Sequence, residues 1–90
     1  EGIAADSLGA RSVGRLMYPI AAAHVAEVVL VEDDDIRAAQ AALWSQLRLI
    51  AEPGGATALA AVLSGAYRPR PDERLGIMVC GGNTDAVQFL

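Results

Sequence analysis

Two runs, Val28-Val29-Leu30-Val31 and Leu75-Gly76-Ile77-Met78-Val79, are apolar at successive rather than alternate positions. Side chains of a strand point to opposite faces in turn, so a strand with one wet face alternates apolar and polar residues. These two do not alternate, which is the pattern of parallel strands covered by helices on both faces. Helical periodicity fills the stretch between them, and a strand–helix–strand connection within one sheet is a right-handed parallel crossover. The expectation is an α/β fold: a partial parallel sheet with flanking helices. Two such strands leave open edges and more apolar surface than three helices can cover. Residues 1–90 are therefore expected to be an incomplete domain, a portion of a larger α/β unit. The alternative is pairing with another chain.

The first ten residues are rich in small side chains and have no clear period, which suits a loop or a short extended piece. In residues 11–26, Val13, Leu16, Met17, Ile20, Ala23 and His24 recur at three- and four-residue spacing, a helix stripe that Pro19 should kink or split. Glu32-Asp33-Asp34-Asp35 can cap a helix running to about Ile50, with Ile36, Ala39, Leu43, Leu47 and Ile50 on its apolar face. Arg37, Gln40, Ser45 and Arg48 fall mainly on its other sides. Glu52-Pro53-Gly54-Gly55 is expected to stop that helix. A second, buried helix should run from Ala56 to about Ser64 and end at Gly65. Residues 67–74 form a solvated connector with two prolines, and a last turn of helix is expected from Ala86 to Leu90.

Composition removes several classes of function. Hydrophobic residues make up 53% and charged residues 20%, too apolar for a disordered tail. The net charge of −4, with no lysine among the seven basic residues, argues against nucleic acid as a partner. No apolar run reaches the length of a bilayer span, and no signal peptide opens the chain, so a membrane is not expected as a partner either. A single cysteine, Cys80, cannot form an internal disulfide, and the expected location is cytoplasmic. The absence of lysine also removes Schiff-base chemistry from these residues. Together with the start at Glu1, it suggests that residues upstream are missing.

Ligands of parallel α/β sheets bind beyond the carboxyl ends of the strands. Of the two such ends, Glu32–Asp35 reads best as a helix cap. At the other, Cys80 is followed by Gly81 and Gly82, which let the backbone turn sharply and a flat ligand approach. A plain strand-to-helix turn explains the same residues equally well. Glu52 could place a carboxylate beside a ligand, but spacing alone favours an exposed C-cap. Neither Gly-Gly pair carries the Lys and Ser/Thr of a phosphate loop. His24 has no companions at metal-ligand spacing, and the serines have no visible base. Trp44 and Tyr18 read as packing residues.

Gly2-Ile-Ala-Ala-Asp-Ser-Leu-Gly9, Val29-Leu-Val-Glu-Asp-Asp-Asp-Ile36, Leu43-Trp44, Leu49-Ile-Ala-Glu-Pro-Gly-Gly-Ala56 and Ile77-Met-Val-Cys-Gly-Gly-Asn83 follow one another in an order that points to one family. This set resembles the C-terminal third of the catalytic domain of serine/threonine dehydratases and serine racemases, pyridoxal-phosphate enzymes of fold type II, the tryptophan-synthase-β type. The resemblance covers essentially the whole chain. It implies pyridoxal 5'-phosphate as cofactor and an amino acid as substrate. It also implies β-elimination of L-threonine or L-serine to a 2-oxo acid and ammonia, and a homo-oligomeric full-length protein. Cys80 falls where the family places a neutral donor to the pyridine nitrogen. Gly81 and Gly82 keep that ring edge uncrowded, and Glu52 falls close to the ring. Ala4 to Asp6 match a segment along the cofactor's other flank. The Schiff-base lysine, phosphate loop and divalent-ion ligands belong to the family's N-terminal part, so no catalytic residue and no metal ligand is expected here. The segment alone should be inactive.

Two rival readings remain. A racemase or related lyase of the same fold would return the opposite enantiomer where a dehydratase yields oxo acid. A non-catalytic α/β binding or interaction module would show a cooperative melt as an isolated 90-mer.

Overall fold

A computed structural model describes residues 2–87. Among them the chain forms helices α1 (Ala5–Leu8), α2 (Gly14–His24), α3 (Asp33–Leu47) and α4 (Pro53–Leu63), and no strand. The expected partial parallel sheet is thus corrected to helices joined by irregular connectors. Residues 28–31 and 75–79 have the composition of strands, but a strand exists only through hydrogen bonds to a neighbour, and neither run finds a ladder partner among the described residues. They do keep a strand-like alternation. Val29, Val31, Ile77 and Val79 are half-buried, whereas Val28, Leu30 and Met78 are 81%, 87% and 79% exposed. One face of each run meets the helices and the other, equally apolar, meets solvent.

The core is small. Ile36, Ala39 and Leu43 from α3 pack with Ala51, Ala56 and Ala60 from the α4 side, and Ile3, Ala4, Val31, Leu59 and Val79 close over them. Alanine at positions 39, 56 and 60 puts small side chains alongside Ile36 and Leu43 where α3 packs on α4, which favours close packing of the two helices. A capping box begins α3: the Glu32 side chain accepts from the N–H of Asp35, and the Glu32 N–H donates to Asp35 Oδ2 at 3.1 Å. The helix ends earlier than its apolar stripe suggests, at Leu47, because Arg48 takes a left-handed conformation with φ 54°. Its guanidinium lies 5.3 Å from the Trp44 ring centroid and donates to the Trp44 carbonyl at 3.1 Å.

Three further expectations change. Glu52-Pro53-Gly54-Gly55 does not stop a helix but starts one: Glu52 is the N-cap of α4 and Pro53 its first residue, where the missing N–H costs nothing. Pro19 does not split α2, which runs through it, though none of the helix's residues is buried and Leu16 is 87% exposed. Of the last expected turn, Ala86 and Val87 are irregular, and residues 88–90 lie outside the described residues. Gly65, at φ 82°, ends the α4 region as expected, with the Tyr67 N–H closing on the Ala61 carbonyl at 2.8 Å.

Candidate functional site

The turn before α4 and the segment after residue 79 meet through glycines. The Glu52 N–H donates to the Gly81 carbonyl at 2.8 Å. Gly55, buried in the first turn of α4, lies so close to the Cys80 segment that a Cβ there would stand 1.9 Å from the Cys80 carbonyl oxygen. Gly81 has φ 75°, and a Cβ on it would stand 2.2 Å from Glu52 Cγ. A Cβ on Gly82 would come within 3.3 Å of the Ile50 carbonyl. Residues 50–55 and 80–82 therefore touch backbone to backbone, which only glycine allows here. All three candidate cofactor-binding residues, Cys80, Gly81 and Glu52, come together on this junction. The Cys80 thiol is free and exposed, and Glu52 is half-buried.

A side chain that sequence reasoning put on another face supports the junction. Gln40 is only 4% exposed, and its Nε2 donates to the Ala51 carbonyl at 2.9 Å and to the Ala86 carbonyl at 3.0 Å. Its position was legible in principle. It lies four residues after Ile36 and three before Leu43, on the stripe those residues define, but an amide is not counted in an apolar pattern.

The other candidates stay apart from this junction. Glu32–Asp35 is a helix cap as read, with one addition: Asp33 Oδ1 accepts from the Ile3 N–H at 3.3 Å, pinning the start of the chain to α3. Ile3 and Ala4 thereby reach the core, while the side chain of Asp6 lies outside the described residues. His24 is exposed at the end of α2, and among the described residues no three His, Cys, Asp or Glu side chains are grouped to hold a metal.

Within the 67–74 connector, the Tyr67 hydroxyl donates to Glu73, whose other carboxylate oxygen accepts from the Arg70 N–H at 3.0 Å. The Tyr67 bond, and then the Arg70 N–H, hold the Glu73 carboxyl below its ordinary 4.5. The same bond, followed by burial and the Glu73 charge, raises the Tyr67 phenol above its ordinary 10.0. The depressed carboxyl contributes order above its unfolded value and loses it as pH falls through the folded one. The raised phenol contributes below its unfolded value and loses it as pH rises through the folded one. The clasp is therefore expected to be complete between these limits. Site-resolved NMR titration of Tyr67 should show an ionisation above 10.0 that returns toward that value in Glu73→Gln.

Comparison with known proteins gives the family. The family model described as pyridoxal-phosphate dependent enzyme matches residues 2–81. The chain belongs to that family. Among its relatives, the phenylserine dehydratase of Ralstonia pickettii is 41% identical over 85 residues, 94% of this chain and 26% of the relative. A serine racemase of Dictyostelium discoideum is 37% identical over 75 residues, 82% of this chain and 23% of the relative. The catabolic L-threonine dehydratase of Escherichia coli K12 is 35% identical over 85 residues, 93% of this chain and 26% of the relative. The chain thus spans about a quarter of the length of these curated relatives. No solved structure matches it significantly.

The family's cofactor is pyridoxal phosphate, and the donor set at the junction suits it. Cys80 offers a neutral S–H donor of the kind a pyridine nitrogen accepts, on a turn where Gly81 and Gly82 present no side chain. With no lysine among the ninety residues, the chain offers no lysine amine for a Schiff base with the cofactor.

Proposed function

We propose that this chain is the C-terminal segment of the catalytic domain of a pyridoxal-phosphate dependent ammonia-lyase. Its substrate would be a β-hydroxy amino acid, L-threonine or L-serine, which loses water across the Cα–Cβ bond to give an enamine. That enamine takes up water again as its imine form is hydrolysed, releasing ammonia and leaving a 2-oxo acid. The observation that carries the reading is the joining of the exposed Cys80 thiol to Glu52 through the 2.8 Å bond between the Glu52 N–H and the Gly81 carbonyl. The bound cofactor supplies an electron sink for the charge left when the substrate's α-proton departs. Cys80 would offer its S–H as a donor to the ring nitrogen, a contact that brings no carboxylate to that atom. A neutral contact from Cys80 at that position would favour departure of the β-hydroxyl over prolonged carbanion chemistry. Gly81 leaves the ring edge open, and the Glu52 side chain lies beside it.

The dehydratases among the relatives support elimination. The 37% identity to a serine racemase favours racemisation as the second reading. The product decides: with the full-length protein and L-serine or L-threonine, oxo acid should exceed the opposite enantiomer, and an excess of enantiomer would replace the first reading by the second. Cys80→Asp should protonate the ring nitrogen, shift the visible absorbance of the bound cofactor and lower kcat by about tenfold or more, as expected when the electronics of the cofactor are mistuned. Unchanged turnover and spectrum would remove Cys80 from the role.

The same reading extends to the whole protein. The remainder of the catalytic domain would help cover apolar side chains such as Leu16 and Leu30, both 87% exposed in this segment, and the full-length protein would assemble from identical subunits. A free, exposed thiol suits the reducing cytoplasm.

A further inference from the structure

Among the described residues the segment that carries Cys80 forms no ladder, yet Cys80 must be held if it is to meet a ligand. Packing alone does not explain the residue that reaches this segment from α3. The stripe of Ile36, Ala39 and Leu43 would accept an apolar side chain at position 40, and burying an amide is unfavourable unless its hydrogen bonds are made. Gln40 makes them. Its two carbonyl partners lie 11 and 46 residues away along the chain. Ala51 immediately precedes Glu52, and Ala86 follows the Cys80–Asn83 turn. The Glu52 N–H bond to Gly81 completes a triangle in which helix α3, the start of α4 and the Cys80 segment are each tied to another.

We propose that Gln40 is a positioning residue, whose buried amide donates at once to the Ala51 and Ala86 carbonyls and thereby holds the Cys80–Gly81 edge against Glu52 for the cofactor. This rests on the assignment of that edge to the cofactor ring. Gln40 touches no reacting atom. It acts through the backbone on either side of the junction, and it ties an irregular segment to a regular helix.

The test uses the full-length protein with Gln40→Met, a side chain of similar volume with no donor. The variant should keep its circular dichroism and cooperative unfolding. In the cofactor-free protein the Glu52 amide should exchange about tenfold faster, as expected for the loss of buried hydrogen bonds, while amides within α3 do not change. With pyridoxal phosphate bound, the visible band should shift, as it should in Cys80→Ala. Unchanged Glu52 exchange overturns the proposal. So does an unchanged band in Gln40→Met when Cys80→Ala shifts it, and that result leaves the cofactor assignment of Cys80 standing. If Cys80→Ala also leaves the band unchanged, the assignment of the edge fails, and the cofactor role of Gln40 fails with it. Should Gln40→Met not fold, Gln40→Glu keeps the shape of the side chain and is read by the same two measurements.

Discussion

Gly55→Ala is expected to be among the most damaging single changes in this segment, lowering stability by about 3 kcal/mol. The added Cβ would stand 1.9 Å from the Cys80 carbonyl oxygen, 2.6 Å from its carbon and 3.2 Å from the Cys80 nitrogen. All three are backbone atoms, so no rotamer change relieves the overlap. Either the first turn of α4 retreats or the Cys80 peptide moves, and both lengthen the bond from the Glu52 N–H to Gly81. Thermal unfolding of the full-length protein should show a clearly lowered Tm, and the purified variant should retain less pyridoxal phosphate. A wild-type Tm would mean that the two segments do not approach as described.

Gly81→Ala should cost about 2 kcal/mol, because two smaller penalties add. At φ 75° an L side chain is strained, and the new Cβ would stand 2.2 Å from Glu52 Cγ and 2.9 Å from Glu52 Cβ. A new rotamer can take Glu52 Cγ out of the way, but Cβ is fixed by the backbone, so the peptide at Glu52 or Gly81 must also give slightly. The loss should be smaller than at Gly55, since part of the overlap falls on a side chain, which yields where a peptide does not. Much of it should be coupled. In a double-mutant cycle with Glu52→Gly the steric part disappears and the strain at φ 75° remains. Strict additivity of the two changes would show that Gly81 and Glu52 are not in contact.

The helices were the legible part of the fold, and their ends were not. The Ile36, Ala39, Leu43 stripe located α3, because helical periodicity records which face is apolar wherever that face is buried. Its end depended on Arg48 entering a left-handed conformation, which a long charged side chain does not advertise. Glu-Pro-Gly-Gly reads equally as the end of one helix or the beginning of the next. Proline is welcome at a helix start and glycine common at a helix end, so composition does not choose between them. The two apolar runs misled for a different reason. Val28–Val31 and residues 75–79 have strand composition, but a ladder is a property of pairs. The pairing partner has to be supplied, and the described residues do not supply it.

At the candidate site, motif order brought Cys80, Gly81 and Glu52 forward together, though spacing alone favoured a cap for Glu52 and was undecided on Cys80. Gln40 stayed hidden among the polar residues of α3 because its value comes from carbonyls that are distant in sequence.

By itself the order of residues determined that helices occupy the stretches around 14–24, 33–47 and 56–63, that Glu32 and its neighbours open a helix, that no lysine amine for Schiff-base chemistry is present, and which family the motifs resemble, whereas it read the short helix α1 as a loop. These depend on near neighbours or on residue identity. Only the tertiary structure decided that Gly55 backs onto Cys80, that Glu52 bonds to Gly81, and that Gln40 joins both sides. Each of these is a contact between chain segments far apart in sequence, where close approach depends on how α3 and α4 pack rather than on any local preference.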